Sequence, residues 1–273
     1  MSMHIDGKKV TAMYWGGRKI REAWHEGQRV FSGKPVEVMP PTPGEYDAQN
    51  WLRATLTKYG ENYQTVTEIP FEIDTGEATD LGRMFWECSK LVAAPYMDTS
   101  QVTNMRSMFW ECHTLTKVPP MDTSQVTIMH GVFGGCHALT SVPEMDTSRV
   151  TTMRAMFQDC RSLTTVPEMD TSQVTNMSYM FNWCYGLTSV PEMDTSRVTT
   201  MLAMFQDCRA LTRVPDMDTS QVTDVSYMFF KCAKLTDGNV RLIGKRPRVN
   251  TKNMLRDSGL TRLPFYDSSG RPI

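Results

Sequence analysis

Apolar side chains return to the same phase every 24 residues through most of this chain. From Met169 to Glu192 they are Val174, Met177, Met180, Phe181, Cys184, Leu187 and Val190. The next stretch, Met193 to Asp216, repeats the same classes as Val198, Met201, Met204, Phe205, Cys208, Leu211 and Val214. Fixed polar letters stand between them: "MDTS" begins at Met97, Met121, Met145, Met169, Met193 and Met217, and a degenerate "IDTG" at Ile73. Seven copies therefore run without a slip over residues 73–240. A unit this short cannot bury its own apolar face and must stack on its neighbours, which predicts a solenoid.

Within a copy, "LTSVP" alternates as a short strand that proline ends, because proline lacks the N–H a ladder needs. "VTNM" reads as a second extended stretch. "SYMFNWC" puts Met180, Phe181 and Cys184 at helical spacing, which predicts a single helical or 3-10 turn. The expected fold class is an α/β repeat solenoid of 24-residue coils, with short parallel strands and a helical turn.

The ends obey other patterns. Residues 1–32 repeat at ten: His4, Tyr14 and Trp24, then Gly7, Gly17 and Gly27, then Val10, Ile20 and Val30. Glycine turns between short strands predict a small all-β meander of three or four strands. A piece this small is expected to dock on something, so it reads as an attachment module with Tyr14, Trp15 and Trp24 as its contacts. Residues 33–46 read as a proline-rich linker, and residues 47–72 as an N-terminal helical cap with Trp51, Leu52, Thr55, Leu56 and Tyr59 on one face. Residues 241–273 hold a worn copy, "NMLRDSGLTRLP", with Ser258 at the cysteine position, and close the other end.

Composition narrows the chemistry. Net charge is -1, from 29 basic and 30 acidic residues, so neither nucleic acid nor a membrane surface is an expected partner. No apolar run could span a bilayer, and "MSMHIDGKKV" is not a secretory signal, so the expectation is a protein made in the cytoplasm without a signal peptide. All seven cysteines, Cys88 to Cys232, share one phase, which reads as reduced core packing, with disulfides between neighbouring copies as the alternative. "DTS" reads as a capped turn, with a line of calcium ions along Asp98, Asp122, Asp146 and Asp170 as the weaker reading. Cys112 beside His113 and Cys136 beside His137 invite zinc. Adjacent residues there should point in opposite directions, so no metal and no cofactor is expected.

Function is expected where packing does not dictate the residue. The positions before and after "MF" and after the cysteine vary from copy to copy. They supply the candidate ligand contacts Trp86, Trp110, His113, His137, Arg161, Tyr179, Trp183, Tyr185, Arg209, Tyr227 and Phe230. Such aromatic and basic side chains dominate binding at interfaces, and aromatic faces stack on sugars. The same residues could instead pack on the neighbouring coil. The strand side also varies, as Lys117, Ser141, Thr165, Ser189 and Arg213, and is the other candidate face. No acid and base converge on a pocket, so no enzyme is expected.

The frame "MDTSQVTNMSYMFNWCYGLTSVPE" resembles the repeats of BspA-like leucine-rich-repeat surface proteins. That resemblance implies a parallel-strand, leucine-rich-repeat-like solenoid used for adhesion. The head, "VTAMYWGGRKIREAWHEGQRVF", resembles short glycine-punctuated modules near the starts of phage minor tail proteins. Together they imply a phage or prophage tail-tip protein, located in the virion. Its head would bind other tail proteins and its repeats a host cell-surface glycan or protein, as a homo-oligomer, with a trimer the form the resemblance implies. A passive virion decoration protein and a bacterial adhesin of the BspA-like type are the alternatives.

Overall fold

The computed structural model describes residues 34–41, 44, 47–244 and 248–273, and the strand backbone of 14–15, 18–19, 24–25 and 28–29. The described head residues form two separate antiparallel hairpins rather than one meander. Strands β1 (Tyr14–Trp15) and β2 (Arg18–Lys19) make the first, β3 (Trp24–His25) and β4 (Gln28–Arg29) the second. The side chains of Tyr14, Trp15 and Trp24 lie outside the described part of the molecule.

The repeats stack as coils of a solenoid, joined by parallel bridges that step from Asp80 to Asn104, Ile128, Thr152, Asn176, Thr200, Asp224 and Asn250. Counting the methionine of "MDTS" as position 1, these residues occupy position 8. The stretch expected to be helical is something else. The N–H groups at positions 12, 14, 16 and 19 close turns onto carbonyls three residues back, as in Met108 to Met105, Trp110 to Ser107, Cys112 to Phe109 and Leu115 to Cys112. The N–H groups at positions 9, 11, 13 and 15 donate forward to the next coil, as in Met105 to Ile128, Ser107 to His130, Phe109 to Val132 and Glu111 to Gly134. A helix spends every N–H on its own chain. Here alternate N–H groups bind the neighbour, and a run of β-turns results. The third residue of two of these turns has positive φ, as a type II turn requires. Position 11 is left-handed from Arg83 to Tyr227 and position 15 from Glu87 to Lys231, and only Gly131 and Gly135 are glycine.

The "LTSVP" stretches are not regular strands either. They carry one bridge, Ala93 to Lys117, and single backbone bonds such as Thr116 N–H to the Val92 carbonyl. Regular parallel strands occur at the two ends of the stack. Within the segment expected as a linker, β5 (Val36–Val38) pairs with β6 (Glu72–Asp74). At the other end β7 (Met217–Asp218), β8 (Leu242–Ile243) and β9 (Phe265–Tyr266) form one sheet.

The core is a set of side-chain columns. Phe85, Phe109, Phe133, Phe157, Phe181, Phe205 and Phe229 are buried and offset-stacked, with centroids 5.3–5.9 Å apart and planes within 2–9°. Beside them the seven cysteines are free thiols and buried. From Phe85 to Phe205 each phenylalanine carbonyl accepts twice: Phe133 O takes the Cys136 N–H at 3.1 Å and the Cys160 thiol at 3.1 Å. The buried threonine of "DTS" donates to the next coil, Thr147 Oγ1 to Asp170 O at 2.8 Å, and the aspartate closes an Asx turn, Asp146 Oδ1 accepting Ser148 N–H at 3.0 Å.

Helix α1 (Asp47–Lys58) buries Ala48, Leu52 and Leu56, and its Trp51 and Tyr59 pack on Phe71, centroids 6.2 and 5.0 Å away. It ends in a Schellman motif at Gly60, φ 73°, where Gly60 N–H bonds Thr57 O and Glu61 N–H bonds Leu56 O. The Tyr63 hydroxyl then donates to the Trp86 carbonyl of the first coil. No helix among the described residues is long and apolar enough to cross a membrane.

Candidate functional site

The turn run buries positions 12, 13 and 16 in every coil, leaves position 17 at least partly exposed throughout, and exposes positions 10, 11, 14 and 15 in some coils but not others, so that the exposed ones form a broken outward band. The predicted contact residues lie along it in groups. At the N-terminal end the Trp86 and Trp110 rings of successive coils lie 6.3 Å apart at 40°, and the Arg83 guanidinium sits 4.6 Å above the Trp86 ring. With Gln64, Glu87, Ser89, Glu111 and His113 the two tryptophans line an open cleft of about 430 Å³. Trp110 fits there because the next coil is glycine. A Cβ on Gly134 would fall 2.3 Å from the indole. His113 Nε2 lies 2.5 Å from Glu111 Oε2, and its ring stacks on His137 at 4.3 Å and 3°.

The remaining candidates are spread further along the band. Asp159 receives His137 Nε2 at 2.8 Å and Arg161 through Nε at 2.8 Å and Nη2 at 3.0 Å. Asp207, buried, is paired with Arg209 at 2.7 Å and Lys231 at 3.7 Å, and the Arg209 guanidinium lies 4.8 Å over Tyr185. Tyr227 meets Phe230 edge-on at 5.8 Å, and Tyr179 lies 5.4 Å beneath Arg154. Trp183 is the large aromatic of this band turned most to solvent, 39% exposed. Arg161 and Arg209 are thus tied to carboxylates of their own coils, while Trp86, Trp110 and His113 share one cleft. Cys112 and Cys136 point into the core and His113 and His137 outward, so no thiolate joins the two rings.

The contact list drawn from the sequence omits a second cleft of about 380 Å³, lined by Asn104, Arg106, Ile128, His130 and Thr152. Arg154 Nη1 approaches His130 Nε2 at 3.4 Å. Burial, then the Arg154, Arg106 and Arg83 charges, push His130 down to about 4. Its signal was present in the chain: position 10 is basic in three successive copies, Arg106, His130 and Arg154.

A family model described as "Mycoplasma protein of unknown function, DUF285" matches residues 57–164, 79–186 and 164–258, overlapping stretches that cover most of the chain. The chain belongs to the DUF285 family. The DUF285 match takes in both clefts and the whole turn ladder, and it supports the kinship with BspA-like leucine-rich-repeat proteins. The likeness of the head to phage minor tail proteins is not shown, since the match begins at residue 57. No curated protein matches the chain. Among solved structures, a leucine-rich repeat protein from Eubacterium ventriosum ATCC 27560 is 13% identical, covering 84% of this chain and 90% of its own, with a TM-score of 0.34. Another, from Bacteroides ovatus ATCC 8483, is 17% identical, covering 94% and 81%, with a TM-score of 0.33.

Proposed function

We propose that this protein is a recognition protein of the BspA-like adhesin type, whose solenoid presents a saccharide-binding edge to a cell surface. The observation that carries this reading is the open cleft of Trp86 and Trp110, ringed by Gln64, Glu87, Glu111 and His113. Two aromatic faces with carboxylate, amide and imidazole groups around them suit a sugar ring, which offers an apolar face and a rim of hydroxyls. A second observation agrees with it. Tyr179, Trp183 and Tyr227 occupy left-handed positions with φ of 59–62°, where glycine would be less strained. Bulky aromatics held at such positions point to a use beyond packing.

The tail-tip reading rests on the resemblance of the head to phage minor tail modules, and family membership favours the adhesin alternative over it. In this reading the protein has no catalytic activity, and its partner is a glycan or glycoprotein of another cell.

The test is binding of the full chain to immobilised neutral and charged glycans and to whole cells, with Trp86→Ala and Trp183→Ala compared at equal fold by circular dichroism. Loss of neutral-glycan binding in Trp86→Ala, with a smaller loss in Trp183→Ala, is expected. Wild-type protein that retains no glycan above background, or Trp86→Ala that binds equally well, would rule the cleft out.

A further inference from the structure

The tryptophan cleft carries more negative charge than a neutral sugar needs. Its lining includes the Glu87 and Glu111 carboxylates and holds no lysine or arginine. The Glu87 carboxylate is exposed and enters no ion pair or side-chain hydrogen bond among the described residues. Glu111 is turned by His113, whose Nε2 meets Oε2 at 2.5 Å, and that imidazole balances it only when protonated. Guanidinium groups of the same band are engaged outside the lining: Arg161 forks onto Asp159 at 2.8 and 3.0 Å, and Arg83 lies over the Trp86 ring. The two indoles add an attraction of the same sign, since an indole face draws a cation placed within about 6 Å of its centre. Trp86 shows that preference in this molecule, with Arg83 4.6 Å from its ring. Trp86 and Trp110, 6.3 Å apart and tilted by 40°, open as a wedge, so a small cation at its mouth can face both rings at once. Trp110 is seated there on Gly131 and Gly134, where a Cβ would fall 2.8 and 2.3 Å from the indole.

We propose that this cleft selects a cationic ammonium group, and that the glycan it takes is built of hexosamine with free amines, the ammonium set beside Glu87 and Glu111 and the sugar ring on the indoles. This rests on the proposed function in taking the ligand to be a saccharide, and adds its charge. A space of about 430 Å³ admits a sugar residue that carries such a group. Acetylation of the amine removes the cation, so the acetylated form of the same polymer binds more weakly. A quaternary ammonium substituent offers the same charge without an amino sugar, and the experiment separates the two sources.

The test is titration calorimetry of the full chain, at a pH where the amine is protonated, with a fully deacetylated glucosamine oligomer, its N-acetylated counterpart and choline. The deacetylated oligomer should bind about tenfold more tightly than the acetylated one. Glu87→Gln, an isosteric change at an exposed side chain, should remove most of that difference and leave the weaker binding of the acetylated oligomer unchanged. Trp86→Ala should weaken both. Choline bound by the wild type and lost in Trp86→Ala, with neither oligomer bound, would uphold the ammonium site and remove the saccharide reading. Equal affinity for the two oligomers in the wild type overturns the charge selection and leaves the saccharide reading standing. Binding of the deacetylated oligomer that survives both substitutions also overturns it, because the cation is then held by other carboxylates of the chain. Binding of none of the three overturns both readings.

Discussion

Trp183 has φ of 62° and Glu87 of 63°, in a backbone region that L residues occupy at a cost of about 1–2 kcal/mol. Glu87→Gly removes that strain but adds about 0.5–1 kcal/mol of chain entropy to be lost on folding. A net gain of roughly 0.5–1 kcal/mol in urea denaturation is expected, whereas Glu→Ala at the same site should gain nothing. The core residues behave oppositely. Phe157→Ala opens a hole in a continuous column and should cost about 3–5 kcal/mol, measured in the same way. Burial pushes the Cys88 thiol up to about 12 and the others, such as Cys160, well above the ordinary range. Iodoacetamide should therefore leave the native protein unlabelled and label seven thiols after denaturation. Reduced core packing was legible from one fact, that all seven cysteines share a phase. The left-handed positions were not legible, because Arg, Ser, Ala, Tyr, Glu, Asp, Trp and Lys share them with glycine at only two places.

Three of the "DTS" turns carry a pH response of their own. The Ser124, Ser148 and Ser196 hydroxyls and amides hold Asp122, Asp146 and Asp194 below the usual carboxylate range. A carboxyl lowered on folding stabilises the fold above its unfolded value, about 3.9, and that stabilisation is lost as pH falls through the folded value. His130, lowered from 6.5 to about 4, acts earlier, because the unfolded chain takes up its proton first as pH falls between these values. The urea midpoint should thus decline from pH 6.5 to 4 and again below 4, and His130→Gln should abolish the first decline. The helix α1 was readable from its apolar face and Gly60. The turn run was misread as helical because Met180, Phe181 and Cys184 have helical spacing. Periodicity along one chain cannot reveal that alternate N–H groups are spent on the next coil.

At the scale of the whole molecule, the solenoid and its register were written in the 24-residue period, and the worn copy follows suit, with Ser258 in the cysteine column and Asn253 and Asp257 left-handed like positions 11 and 15. The clefts were less legible. A cleft joins variable letters of different copies, so Trp86 with Trp110, or Arg106 with His130, emerges only once coils are laid side by side. Excising Met145 to Glu168 should leave a folded, shorter stack with an unchanged circular dichroism spectrum per residue, since Thr127 and Ile128 can pair with Thr175 and Asn176 as they now do with Thr151 and Thr152. Excising half as many residues should unfold it.

The forward ladder of N–H groups also has a mechanical meaning. Each coil of the array grips the next by the same short row of bonds, and the chain leaves the stack at opposite ends. Tension between the ends should peel the array from a terminus, one coil per event, rather than rupture it at once. Each release would pay out 24 residues of slack, roughly 80 Å of contour. Single-molecule pulling should record a sawtooth of that step. A tether of this kind yields in stages under flow and keeps its grip on a surface while it lengthens.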